Sequence, residues 1–273
     1  MPRQEEFSET NRRAWEELAR IHALDRTGFY RIQAFLAGEN TLYPIEKAEI
    51  GEVSGKKVAH LQCHIGLDSL NLARMGAEVT GLDFSAEAVA QAQRFSERIG
   101  VPARFVQGNV YDADKLLPPA SFDLVYVTWG AIPWLPDIRR WTDVVANLLA
   151  PGGELYLLET HPAAECLSEE DGKLVARYDW RSPAEKPIED EATQSYTGDE
   201  VKREHGRTYS WIHSLTDIMG GLLGNGLTVT AFQEHEELPY ALFPMMEEGP
   251  DRLFRLPESQ PRLPLSFSLR ARA

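Results

Sequence analysis

Residues 57–160 alternate short apolar runs with segments of helical spacing. The runs "KVAHLQC", "EVTGLDF", "ARFVQGN", "FDLVYVTWG" and "PGGELYLLET" read as five buried strands. Between them, "LDSLNLARMGA" reads as a helix ending near Gly76. Ser85 is placed to cap a second helix with Val89, Ala92, Phe95 and Ile99 inward, closed by Gly100 and Pro102. Asp137 is placed to cap a third, carrying Ile138, Trp141, Val145 and Leu148. Strands that alternate with helices predict a parallel sheet covered on both faces.

The flanks follow other patterns. Residues 4–21 and 28–37 read as helices, with Trp15, Leu18 and Ile21 on one face of the first. Gly38 and the stretch 44–57 read as a linker. Residues 161–210 are acidic and turn-rich, and read as an insertion with a small hairpin and a mobile loop. Ser214 and Asp217 fit a capping box opening a helix that ends at "GNG". "LTVTAFQEH" and "PLSFSLRARA" close the chain as two strands, the last antiparallel by its Leu265, Phe267, Leu269 alternation.

Composition narrows the partners. The chain has 273 residues, 43% of them hydrophobic, enough for one large α/β domain or a domain with a cap. Its formal net charge of -14 repels phosphate backbones, so no nucleic-acid partner is expected. Two cysteines suggest no disulfide framework. "MPRQEEFSET" does not read as a signal peptide, and no apolar run approaches the roughly 20 residues of a membrane span. A cytoplasmic monomer or homodimer with no membrane partner is the expectation.

Ligands of open α/β sheets bind beyond the carboxyl ends of the strands. There the sequence places Gln62, Cys63, His64 and Gly66, then Asp83, then Gly108, Asn109 and Val110, then Trp129, then Glu159 and His161. Asp83 lies seventeen positions past Gly66 and suits the two hydroxyls of a ribose; the alternative is a charge at a helix N-terminus. Asn109 offers an amide to an adenine edge, or is an ordinary turn residue.

In order, "KVAHLQCHIGLDSLNLARMGAEVTGLDFS", "FVQGNV", "FDLVYVTWGAI" and "LLAPGGELYLLE" resemble a class I S-adenosylmethionine-dependent methyltransferase over about residues 55–160. The first motif is similar to a bacterial small-molecule subgroup with an LQCH-x-GLD loop. The resemblance implies a Rossmann-like α/β fold: a seven-stranded, mostly parallel sheet with helices on both faces and an antiparallel last strand. It implies a helical cap over residues 1–54 and a catalytic domain over 55–273, with an insertion at about 161–210. It also implies methyl transfer from S-adenosylmethionine to a small-molecule acceptor. The implied cofactor-binding residues are Tyr30, Gln62, Cys63, His64, Gly66, Asp83, Phe84, Asn109, Val110 and Trp129. The family's first motif carries an acid and three glycines; here His60 stands at the acidic position, Gln62 and His64 replace two glycines, and only Gly66 is kept. Gln62 and His64 either contact the methionine end or point away from it.

For the acceptor, Trp134, Tyr209 and His213 are candidate lining residues, and His161 is the expected general base, with an ordinary pKa of about 6.5. No metal is expected, because His60, Cys63, His64 and Asp68 span a strand and a turn rather than one ligand face. An NAD(P)-dependent oxidoreductase is a competing reading, but "QCHIGL" lacks Gly-x-Gly-x-x-Gly. A cofactor-binding or non-catalytic module of the same fold is the other.

Overall fold

The computed structural model describes residues 2–273; Met1, where the expected cap begins, lies outside the described residues. Three helices precede the first strand: α1 (Pro2–Leu24), α2 (Ile32–Leu36) and α3 (Pro44–Glu49). The last corrects the expected linker. Pro44 pre-sets the first helical turn, and the Glu46 carboxylate accepts the Tyr43 backbone N–H at 2.8 Å. The second helix is shorter than expected, because residues 28–31 form turns ending in a left-handed Arg31 at φ 51°.

The alternating region then runs β1 (Lys57–Leu61), α4 (Leu67–Arg74), β2 (Glu78–Asp83), α5 (Ala86–Ile99), β3 (Arg104–Gln107), α6 (Ala113–Leu116), β4 (Phe122–Thr128), α7 (Ile138–Leu148) and β5 (Leu149–Thr160). Ser85 caps α5 by accepting the Ala88 N–H, and Asp137 caps α7 by accepting the Arg140 N–H. On α5 Ala92 and Phe95 are buried as expected, Ala88 is buried rather than its neighbour Val89, and Val89 and Ile99 are half-buried.

The insertion holds more structure than one hairpin: α8 (Pro162–Glu165), a β6–β7 pair (Leu167–Glu170, Lys173–Ala176) and a β8–β9 pair (Ile188–Glu191, Arg207–Ser210). Then come α9 (Leu215–Gly224), β10 (Thr228–His235), a short β11–β12 pair (Glu247–Glu248, Phe254–Arg255) that the sequence pattern does not announce, and β13 (Ser266–Arg272).

The main sheet has the order β10-β13-β5-β4-β1-β2-β3. β1 pairs in parallel with both β2 and β4, while β13 is antiparallel to β5 and β10. Chain order reverses at β1, so the crevice for a ligand opens between β1 and β4. One face of the sheet packs α7 and α9 through Trp141, Leu148, Ile218 and Leu222. The other carries Tyr126, Tyr156 and Leu158 against the segment around α3.

The N-terminal helix is bonded to both halves of the molecule. Glu16 accepts from Ala86 N, Glu87 N and Ser85 Oγ at 2.8–3.0 Å, so it caps the start of α5 from outside. Asn11 and Tyr209 exchange two side-chain-to-backbone hydrogen bonds of 2.8 Å. Glu17 accepts from Glu204 N and His205 N, also at 2.8 Å. Helix α1 therefore joins the sheet domain to the insertion. Among the described residues, no helix is long and apolar enough to cross a membrane.

Candidate active site

A cavity of about 1290 Å³ opens over the carboxyl ends of β1, β2 and β4, roofed by α1 and the insertion. Its floor begins with the turn after β1. Gln62, His64 and Gly66 all have positive φ, at 57°, 50° and 76°. A left-handed backbone costs a non-glycine residue about 1–2 kcal/mol. Two side-chain bonds offset that cost here. Gln62 Nε2 donates to Ala131 O at 2.6 Å, and His64 Nε2 lies 2.8 Å from His22 Nδ1. Gly66 is needed for another reason: a Cβ there would sit 2.5 Å from Ala92 Cβ and 2.9 Å from the Phe105 ring.

Asp83 closes β2 at the cavity wall, 6% exposed. One carboxylate oxygen accepts His64 N and the other Ser85 N, each at 2.9 Å. Burial pushes its pKa up to about 6, against the pull of those two amides. Each oxygen keeps a further lone pair for a hydroxyl donor. Asn109 accepts the Tyr111 N–H through its side-chain oxygen, which leaves the amide nitrogen available beside Phe84 and Val110. This end of the cavity suits a nucleoside.

The turn after β4 is built around Glu159, a fully buried carboxylate. It accepts Gly130 N, Ala131 N and Ile132 N at 2.6–2.9 Å. Burial raises its pKa even so. The arrangement fixes Trp129, itself left-handed at φ 54°, with its ring on the cavity and 5.9 Å edge-on to Tyr43. Trp134 stands 5.3 Å from Trp15, and neither indole N–H has a protein partner. The side-chain oxygen of Gln62 is likewise buried and unpartnered. Unsatisfied polar groups on a cavity wall call for a ligand with donors and acceptors.

A hydrogen-bonded chain crosses the roof. His22 Nε2 lies 2.8 Å from Ser195 Oγ, and His22 Nδ1 lies 3.2 Å from the Tyr30 hydroxyl, which meets that of Tyr196. With His22 Nε2 donating to Ser195, the single lone pair of Nδ1 accepts one donor, from His64 Nε2 or from the Tyr30 hydroxyl. Burial keeps both His22 and His64 neutral, the latter pushed down to about 3. Tyr30 is aimed inward by Asp25, which accepts Tyr30 N and Ile32 N.

A family model described as a methyltransferase domain matches residues 59–155. Over those residues the chain carries a methyltransferase domain. The ubiquinone biosynthesis O-methyltransferase of Xanthomonas euvesicatoria pv. vesicatoria is 34% identical over 128 residues, covering 46% of this chain and 53% of that protein. The protein of the same description from Photorhabdus laumondii subsp. laumondii is 34% identical over 107 residues, or 39% and 43% of the two chains. The chain thus spans about half the length of the curated relatives it matches. Among solved structures, an S-adenosylmethionine dependent methyltransferase from Mesorhizobium loti superposes with a TM-score of 0.56 at 20% identity, covering 87% of this chain and all of that one. A structure described as a DhpI–SAH complex superposes at 0.55 with 16% identity, over 97% and 96% of the two chains. These likenesses show the fold.

The cavity gathers most of the residues expected from sequence. Tyr30, Gln62, Cys63, His64, Asp83, Phe84, Asn109, Val110, Trp129 and Trp134 all line the cavity. Four expected site residues do not. Gly66 packs beneath the turn. Tyr209 faces α1, its ring 4.6 Å from Phe7. His213 is buried with Nε2 against Leu135 O at 2.9 Å. His161 caps α8, its Nδ1 accepting Ala163 N at 3.1 Å, and turns Nε2 to Glu234 at 3.1 Å, away from the cavity. The sequence reading missed Trp15, Tyr43, Asp68, Glu165, Tyr196, Tyr240 and Arg252 on the wall. Most of these lie on segments whose approach to the strand ends depends on tertiary packing.

Proposed function

We propose that the protein is an S-adenosylmethionine-dependent methyltransferase acting on a small-molecule hydroxyl acceptor. The observation that carries this reading is Asp83, a nearly buried carboxylate at the end of β2, beside an aromatic and amide-lined slot. The residues present fit the cofactor. Asp83 would hold the ribose, Phe84, Asn109 and Val110 the adenine, and the Gln62–His64 turn the path toward the methionine end. When bound, the cofactor supplies a methyl group on a sulfonium, transferred by in-line displacement.

The protein then has three tasks: alignment, exclusion of water and acceptance of a proton. Trp129 and Trp134 offer flat surfaces for alignment, and α1 with the insertion covers the slot. Because His161 does not reach the cavity, Glu165 takes its place as the proton acceptor in this proposal. Glu165 sits on α8 at the cavity wall, near Tyr196 and Tyr240. Burial and the neighbouring Glu159 charge raise its pKa well above the usual carboxylate range. In its ionised form such a group is a stronger base than an ordinary carboxylate. Turnover should therefore rise with pH as Glu165 ionises. Glu165→Gln is expected to lower kcat about 100-fold, flatten that profile and leave cofactor affinity unchanged. Wild-type turnover in this variant would remove Glu165 from the mechanism.

The hydroxyl acceptor is suggested by relatives described as ubiquinone biosynthesis O-methyltransferases. A monomeric or homodimeric cytoplasmic enzyme without nucleic-acid partners is part of the proposal; the net charge of -14 supports the last of these points. The test is transfer of isotope-labelled methyl from S-adenosylmethionine to a library of small hydroxyl compounds, with mass spectrometry to locate the label. Methylation only on nitrogen, sulfur or carbon would overturn the hydroxyl assignment. No transfer to any compound, together with no cofactor binding, would overturn the enzyme reading.

A further inference from the structure

An acid and a base line the cavity without forming an ion pair with each other. Asp68 stands in the first turn of α4, half-buried on the cavity wall. Desolvation and the Glu46 charge raise its pKa to about 8, and no hydrogen bond offsets them; the Arg252 charge alone pulls the other way. Glu46 behind it is fully buried and bonded to the Tyr126 hydroxyl. Arg252 lies on the same cavity wall. Its guanidinium is stacked 4.5 Å over the Tyr43 ring, and its backbone is left-handed at φ 67°. Its hydrogen bond to Thr41 O is a long 3.5 Å, and among the described residues it forms no ion pair with a carboxylate. A half-buried carboxylate and a braced guanidinium, both facing one cavity and unpaired, are costly unless a ligand completes them.

Their position relative to Asp83 says which ligand. The Cys63 thiol, at the middle of the turn after β1, is raised by burial and also feels the charges of both Asp83 and Asp68. The turn donates His64 N to Asp83 at 2.9 Å and runs past Gly66 into the first turn of α4, where Asp68 stands, so it joins the two acids. A nucleoside held at Asp83 would have this turn and Asp68 on the same cavity wall for its 5′ substituent. The usual acid of the first motif is replaced in this chain by His60, which burial holds down to about 3 and which is spent on Ser69 Oγ at 2.7 Å. The acid at this level of the cavity wall is Asp68, in the first turn of the helix that follows.

Resting on the methyltransferase reading, we infer that Asp68 and Arg252 form a zwitterion clamp for the α-amino acid end of the cofactor, Asp68 taking the ammonium and Arg252 the carboxylate. The amino-acid end needs one partner of each sign, and a charge-assisted bond to each is stronger than a neutral one. Arg252 comes from the β11–β12 pair, so this short hairpin, invisible as a motif, is a binding element. An α-amino acid acceptor has the same chemistry as the cofactor's end, so the experiment must separate the two.

The probes are S-adenosylhomocysteine and 5′-methylthioadenosine, which share the nucleoside and differ in the amino-acid end. Calorimetric titration of both into wild type is expected to show a preference for S-adenosylhomocysteine of about 100-fold. Asp68→Asn and Arg252→Met should each cut that preference by about tenfold while leaving 5′-methylthioadenosine affinity unchanged. The unchanged affinity also certifies the fold of each variant. Equal weakening of both ligands, or an unaltered preference, overturns the clamp. An unaltered preference with loss of free amino-acid binding overturns it in favour of an amino-acid acceptor. Failure of wild type to bind either nucleoside would instead bring down the methyltransferase reading.

Discussion

Gln62 and His64 occupy backbone positions that glycine fills more cheaply, and the structure shows what they do there. Each bonds across the cavity, Gln62 to the turn after β4 and His64 to α1. Removing either side chain leaves the strained backbone and loses the tie. Gln62→Ala and His64→Ala are each expected to weaken cofactor binding about 3–10-fold, the worth of one neutral hydrogen bond. Unchanged binding in calorimetry for both would show that the side chains only fill space. Glu159 is more demanding. Its carboxylate satisfies three consecutive buried amides, so Glu159→Ala should cost about 3 kcal/mol or more and lower Tm by several degrees. A Tm equal to wild type would mean that the turn finds other acceptors. At this scale Asp83 was legible because spacing from a glycine turn survives in the sequence. Glu46 was not, because nothing in "PIEKAE" shows that its carboxylate is fully buried beneath Tyr126.

Among the elements, α1 has the most to explain. It caps α5 through Glu16 and holds the insertion through Asn11 and Glu17. It also supplies Trp15 to the cavity wall and His22 to the roof network. Deleting residues 1–40 should therefore abolish cofactor binding rather than alter acceptor choice. Retained binding in the truncated chain would reduce α1 to a cover for the acceptor. The five strands and the helices α4, α5 and α7 of 57–160 could be read in advance because apolar runs alternate with helical spacing, and Ser85 and Asp137 mark two helix starts. The insertion and the β11–β12 segment carry none. Their short strands are partly exposed and held by contacts made elsewhere in the chain, so their sequence shows only polarity and turns. That is why wall residues directly after β1, β2, β3 and β4 could be read from the chain, while Glu165 and Arg252 could not.

For the whole molecule, buried titratable groups set a pH profile of stability. His60 and His64, held down to about 3, lose stability as pH falls below about 6.5, because the unfolded chain takes up protons that the folded one refuses. Asp68, raised to about 8, works in the other direction. It keeps its proton when folded and loses it when unfolded, so its contribution falls as pH rises from about 4 through about 8, opposing the histidines at first and outlasting their effect above about 6.5. The cofactor-free chain should melt lower at pH about 8.5 than near pH 6.5, and Asp68→Asn should remove part of that fall. An identical slope in the variant would contradict a raised Asp68. The account as a whole stands on cofactor binding at the end of β2. Titration calorimetry of S-adenosylmethionine into wild type and Asp83→Asn tests it most directly. A single saturable site in wild type, weakened about 10–100-fold in the variant by loss of charged hydrogen bonds, is the predicted result. No saturable binding by wild type, or equal affinity in both proteins, would contradict it.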